Sequence, residues 1–111
     1  VPSKSPPEVE LTGKQRSYLR ALAHTLKPVV QIGQQGVTEG LIDAIDAALE
    51  RHELVKVKLL GETELEADET ALAIAQRTRS HVAQTIGRTL VIYRRREREP
   101  KIVLPAKRKS K

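Results

Sequence analysis

The amino-acid sequence predicts an α/β domain: a single four-stranded mixed sheet with three helices packed on it, in the order α-β-α-β-α-β-β, with a G-x-x-G loop between the first strand and the second helix. Three observations carry this expectation. Thr12 and Thr38 each precede an apolar stripe at helical spacing, as N-caps do. Residues 54–59 (LVKVKL) alternate apolar and basic, the pattern of a strand with one buried face. Gly87-Arg88 separates two aliphatic runs by the two residues of a tight hairpin. At 111 residues the chain is long enough for one domain with a core of its own. The expected organisation is a Pro- and Ser-rich disordered lead over residues 1–10, a folded domain over 11–95 and a basic tail over 96–111.

The elements follow in chain order. Thr12 and Gln15 have the spacing of a capping box. In the helix behind them Tyr18, Leu19, Leu22, Ala23 and Leu26 share one side, Arg16, Arg20, His24 and Lys27 gather on another, and Pro28 forces a stop. Residues 29–32 (VVQI) read as a short buried strand. After the turn, Leu41, Ile42, Ile45, Ala48 and Leu49 line the inner side of a second helix, with Asp43, Asp46 and Glu50 toward water and His52 near its end. In the 54–59 strand Val55, Val57 and Leu59 face the core and Lys56 and Lys58 the other side. Residues 61–66 form an acidic loop. Asp68 is expected to cap a third helix over about 69–79, with Ala71, Leu72, Ala75 and Thr78 inward. Strands 82–86 and 89–93 close the sheet through a type II′ turn, which wants glycine first.

Composition removes several functions. Cysteine, methionine, phenylalanine and tryptophan are absent, and the aromatics are Tyr18 and Tyr93. That excludes a disulfide framework, a thiol nucleophile, a Cys-ligated metal and a sheet of several stacking aromatics. The histidines lie 28 and 29 positions apart. His52-Glu53 opens a zinc H-E-x-x-H pattern that Lys56 then breaks. The acids are expected to be solvated on helix exteriors and in the 62–69 loop, and no nucleophile, base and orienting group combine. The reading is of a chain that is not an enzyme, takes no cofactor, has no membrane span or secretory signal, and works in the cytoplasm as a monomer.

Charge points to a partner. The net charge of +6 is unevenly placed. Residues 11–36 carry Lys14, Arg16, Arg20 and Lys27 and no acid, residues 37–87 hold ten acids against five bases, and residues 88–111 hold ten bases against two acids. A near-balanced body flanked by basic segments suits a polyanion; a scaffold or adaptor for an acidic protein partner is the alternative. Within the first basic segment, Gly33-Gln34-Gln35-Gly36 lies between a strand and a helix start. Glycines permit a tight turn with positive φ and a close backbone approach, and amides near a helix start suit phosphate. The run Arg94-Arg95-Arg96-Glu97-Arg98 reads either as a solubilising edge guard or as an arm for phosphates. Residues 101–104 (KIVL) are apolar enough to dock back on the sheet.

Residues 11–59 and 86–94 resemble the CRM domain, the chloroplast RNA splicing and ribosome maturation module, and in particular its single-domain bacterial YhbY-like form. The likeness rests on a basic first helix ending in LKP, then VVQIG, GQQG, TEG, HELVKVK and IGRTLVIYR. The resemblance implies a four-stranded α/β fold similar to the C-terminal domain of translation initiation factor three, and a G-x-x-G loop KH-like in role. It also implies RNA as partner, since bacterial members are associated with large-subunit ribosomal precursors and plant members with group II intron splicing. It makes Gly33, Gln34, Gln35 and Gly36 the RNA loop and Lys14, Arg16, Arg20 and Lys27 its basic flank, to which the charge pattern adds Arg88, Arg94, Arg95 and Arg96. The implied function is ribosome biogenesis: clamping large-subunit rRNA during assembly.

Overall fold

The computed structural model describes residues 11–61, 63–96 and 98–105. The lead and the KRKSK end, both expected to be disordered, lie outside them. The order is α1 (Gly13–Ala23), β1 (Val30–Ile32), α2 (Glu39–His52), β2 (Leu54–Leu59), α3 (Ala67–Thr78), β3 (His81–Ile86) and β4 (Thr89–Tyr93), the expected α/β arrangement of three helices and a mixed sheet. Strand order is β1-β2-β4-β3. β1 runs parallel to β2, and β4 pairs antiparallel with both β2 and β3.

Helix α1 starts as its sequence dictates. Thr12 Oγ1 accepts the Gln15 N–H at 3.1 Å and the Gln15 side chain accepts the Thr12 N–H at 3.0 Å, satisfying two orphan donors reciprocally. It ends earlier than expected. Pro28 disfavours helical backbone at Lys27, and the chain tightens before it, with the Leu26 N–H on the Ala23 carbonyl. Leu26, past the helix end, is therefore 38% exposed, and Tyr18, also expected inside, is 40% exposed. Leu19 and Ala23 are buried as expected, and Gln15 joins them.

Three other expectations change. β1 is an edge strand of three residues, with Val30 half-buried, Gln31 exposed and only Ile32 buried. Glu66 rather than Asp68 caps α3, its carboxylate accepting the Glu69 N–H, while Asp68 sits in the first turn and takes the Thr85 hydroxyl. Ala71, Ala75 and Thr78 face inward as expected, but Ile74 completes that stripe and Leu72 is 56% exposed. The hairpin agrees: Gly87 has φ +55° and Arg88 is not left-handed, as a II′ turn requires.

The sheet separates two apolar clusters. On one side α2 and α3 cover Ile32, Val55, Val57, Leu59, Leu90 and Ile92. On the other, α1 covers Leu54, Ala83, Val91 and Tyr93 together with Leu11, Leu19 and Ala23. Each fully buried aliphatic side chain is worth about 1.5–3 kcal/mol, so the larger cluster under α2 and α3 dominates stability. A bulge between Val82 and Gln84 puts two successive β3 residues opposite one β4 residue. Ala83 joins the α1 cluster while Gln84 stays beside Val91. Ile102 and Leu104 also pack on the α1 cluster, and the Gln15 side chain donates to the Pro105 carbonyl. Residues 101–104 thus dock back on the sheet.

Glu53 departs most from expectation. It is fully buried, not solvated, and takes φ +68° at the end of α2. Its carboxylate accepts the N–H groups of Arg96, Lys101 and Ile102 at 2.7–2.8 Å. Nearby, burial first and then the Glu53 charge push the Tyr93 hydroxyl above its ordinary value of 10.0, and that hydroxyl has no hydrogen-bond partner among the described residues.

Candidate nucleic-acid interface

α1 covers only the half of its sheet face near Leu54 and Tyr93. The half toward the ends of β1 and β2 stays open, and register assigns its residues. Gln31 pairs with Lys58, Lys58 with Thr89 and Thr89 with Ile86, so these four share one face. Gln31 and Lys58 are exposed and Ile86 is 59% exposed. Just beyond Gln31 the chain enters the 33–36 loop.

That loop is a β-turn closed by the Gly36 N–H on the Gly33 carbonyl at 3.0 Å. Gly36 takes φ +71°, a conformation that costs a residue with Cβ about 1–2 kcal/mol. A Cβ there would lie 3.7 Å from Leu65 Cδ1, so the 63–65 segment lies against the turn. Gln34 and Gln35 at its tip are both exposed. Gln31, the turn and Leu41 line a shallow depression of about 360 Å³. Thr38 caps α2 behind the turn by accepting the Leu41 N–H. Glu39, the acid nearest that helix start, is drawn to Arg77 on α3 at 2.5 Å.

A second depression, about 680 Å³, lies between α1 and the open sheet half. Arg20 and His24 rim it from the helix, Lys56 and Gln84 from the sheet. Lys56 Nζ donates to the Leu26 carbonyl at 2.9 Å, which fixes the ammonium where α1 ends. Among the described residues no carboxylate lines either depression. Glu39, Asp43, Asp46, Glu50, Asp68 and Glu69 belong to α2 and α3, on the other side of the sheet. The fold thus sorts charge by face.

The twelve residues singled out from sequence divide accordingly. The loop residues Gly33, Gln34, Gln35 and Gly36 and the rim residue Arg20 lie on the open face, and Arg16, exposed, emerges on the same flank of α1 as Arg20. Lys14 emerges on the opposite flank, beside Tyr18. Lys27 lies past the helix end in a separate apolar groove with Leu26, Val29 and His52. Arg88 donates to the carbonyls of Leu60, Thr63 and Leu65, tying down the segment that lies against Gly36. Arg94 is spent on Asp46, Glu50 and the Thr78 carbonyl, and its side chain is 14% exposed. Arg94, Arg95 and Arg96 leave β4 at the end of the sheet away from the loop, because β4 runs antiparallel to β2; five residues of strand are about 17 Å. Lys56, Lys58, His24 and Gln84 were not anticipated as site residues. The signal for the two lysines is the alternation of residues 54–59, which puts them on the face opposite the core; His24 shares the α1 side of Arg16 and Arg20, and Gln84 has no local sequence signal.

Comparison with known proteins agrees with this architecture. The CRS1/YhbY (CRM) domain family matches residues 11–94. The chain belongs to the CRM domain family. It is 42% identical over 95 residues to the Bacillus subtilis protein named Probable RNA-binding protein YqeI, covering 86% of this chain and 99% of that one. It is 45% identical over 97 residues to a protein of Haemophilus influenzae named RNA-binding protein, covering 87% and 97%. Its structure is similar to the solution structure of SAV1595 from Staphylococcus aureus, with a TM-score of 0.74 and 44% identity, over 86% of this chain and 99% of that one. The CRM match ends at Arg94, ahead of the packed residues 101–105.

Proposed function

We propose that this chain is a non-enzymatic RNA-binding protein that acts as a monomer in the cytoplasm, in assembly of the large ribosomal subunit. It holds rRNA phosphates with the 33–36 loop and the basic groups beside it. The observation that carries the reading is the sorting of charge by face: the loop, Lys58, Lys56 and Arg20 share an open surface that no acid among the described residues lines, and the acidic helices lie behind the sheet. The names of the relatives support RNA as the polyanion.

The chemistry is static. The turn's own bond consumes only the Gly36 N–H, and the exposed glutamine amides add neutral donors at the tip. Arg20, Lys56 and Lys58 neutralise adjacent phosphates and release counterions. Arg88 and Arg94 act as positioning residues, through the loop support and the helix packing respectively. A phosphate strand so held keeps one local RNA conformation while other components join.

Crosslinking the protein to RNA in cells and sequencing what is bound tests the reading. One region of large-subunit rRNA, together with loss of co-sedimentation with ribosomal particles after RNase, is the expected result. Retention of the protein on those particles after RNase would assign it to a protein partner and overturn the proposal.

A further inference from the structure

We propose that the cleft between α1 and the open half of the sheet receives one unpaired nucleotide of the RNA whose backbone the 33–36 loop holds; the inference rests on the reading of the chain as an RNA-binding protein. The cleft is apolar inside and polar at its rim. Ala21 and Ile86 supply exposed aliphatic surface, Ala23 and Val91 lie buried at its floor, and Ile86 stays 59% exposed although it lies in a strand. Its volume of about 680 Å³ falls within the roughly 300–1,000 Å³ of sites that enclose small planar ligands. Tyr93 is buried and Tyr18 is on the other flank of α1, so a base here is held by aliphatic contact rather than by ring stacking.

The polar groups match a nucleotide part by part. The Gln84 amide and the Thr89 hydroxyl each offer a donor and an acceptor to a base edge. Arg20 and Lys56 supply the charge its flanking phosphates need. The bond from Lys56 to the Leu26 carbonyl uses one of three ammonium donors, so it aims the group without consuming it. Register links the cleft to the loop. Gln31 lines the loop depression, Thr89 lines the cleft, and Lys58 pairs with both. Two strand spacings separate them, about 10 Å, a span that one extended RNA strand crosses with Lys58 beneath it. A base inside a duplex is stacked and its edge is paired, so it cannot enter. The cleft therefore selects single-stranded or bulged RNA, a preference that phosphate clamping alone does not supply.

The test compares two RNA hairpins of equal length, one fully paired and one with a single-nucleotide bulge carrying 2-aminopurine, against the full chain. The wild-type protein should bind the bulged hairpin about tenfold more tightly, the scale of one or two added hydrogen bonds to a base edge, and change the fluorescence of the bulged base. Ala21→Leu fills the cleft without altering charge, and Gln84→Ala removes a base-edge contact with less risk to folding. Each should shrink the preference toward unity, lowering affinity for the bulged hairpin by more than it lowers affinity for the paired one. Gln34→Glu with Gln35→Glu should weaken both hairpins alike and keep the preference. Equal binding of the two hairpins by the wild type, or a preference that survives both cleft variants, overturns the cleft assignment while the loop reading stands. Loss of neither hairpin in the loop variant would count against the loop reading instead.

Discussion

Glu53 shows how one side chain can hold a terminal segment. A buried carboxylate normally raises the cost of folding unless its lone pairs are filled, and here three backbone N–H groups fill them. Glu53→Gln keeps the shape but turns an amide NH₂ toward at least one of those donors. Charge-assisted hydrogen bonds are worth about 1.5–3 kcal/mol, so urea unfolding of the variant should show a loss of that order. An unchanged midpoint would mean that the carboxylate is incidental. The sequence did not announce this role, because a glutamate after His52 reads like any helix-end acid. What makes it different is the return of Arg96, Lys101 and Ile102 to it, a contact between positions more than forty apart. Arg94 was illegible for the same reason: a run of arginines looks uniform until α2 brings Asp46 and Glu50 to one member.

At the scale of elements, local chemistry was readable and edges were not. The Thr12 capping box, the Thr38 cap, the 54–59 alternation and the Gly87 turn each act within six residues, and each forms as its residues dictate. The start of α3 depended on a choice between two carboxylate caps two residues apart, Glu66 and Asp68, and the fold takes the earlier one. The segment after β4 is the element with most to test. We propose that the folded unit extends to Pro105, since Ile102 and Leu104 cover the α1 cluster and Pro105 takes the Gln15 amide. A chain ending at Arg95 would bare that cluster and strip Glu53 of its Arg96, Lys101 and Ile102 donors. It should lose on the order of 3 kcal/mol in urea unfolding. In that truncated chain Glu53→Gln should cost little further, because the partners it disturbs are gone. A truncated chain as stable as the full one would place the end of the domain before residue 96.

Across the whole molecule, the sheet acts as a divider. Acids collect on α2 and α3, cations and amides on the open face, and the 33–36 turn stands at the edge of that face. The sequence exposed the loop and the basic flank, because glycine spacing and an acid-free run are one-dimensional signals. It hid which cations stand together, since Lys14, Lys27 and Arg94 differ from Arg20 only in where the fold sends them. The central claim is that the turn itself meets RNA phosphate. The most direct measurement is the affinity for a large-subunit rRNA fragment, at matched salt, of two variants with the same added charge. Gln34→Glu with Gln35→Glu places it on the exposed loop tip; Ala73→Glu with Gln76→Glu places it on the exposed side of α3. The loop variant should bind more weakly than the α3 variant by about 1–3 kcal/mol, the worth of a lost charge-assisted contact, with both equally folded. Equal losses in the two would show that only net charge matters and would contradict the assignment of residues 33–36 as the RNA clamp.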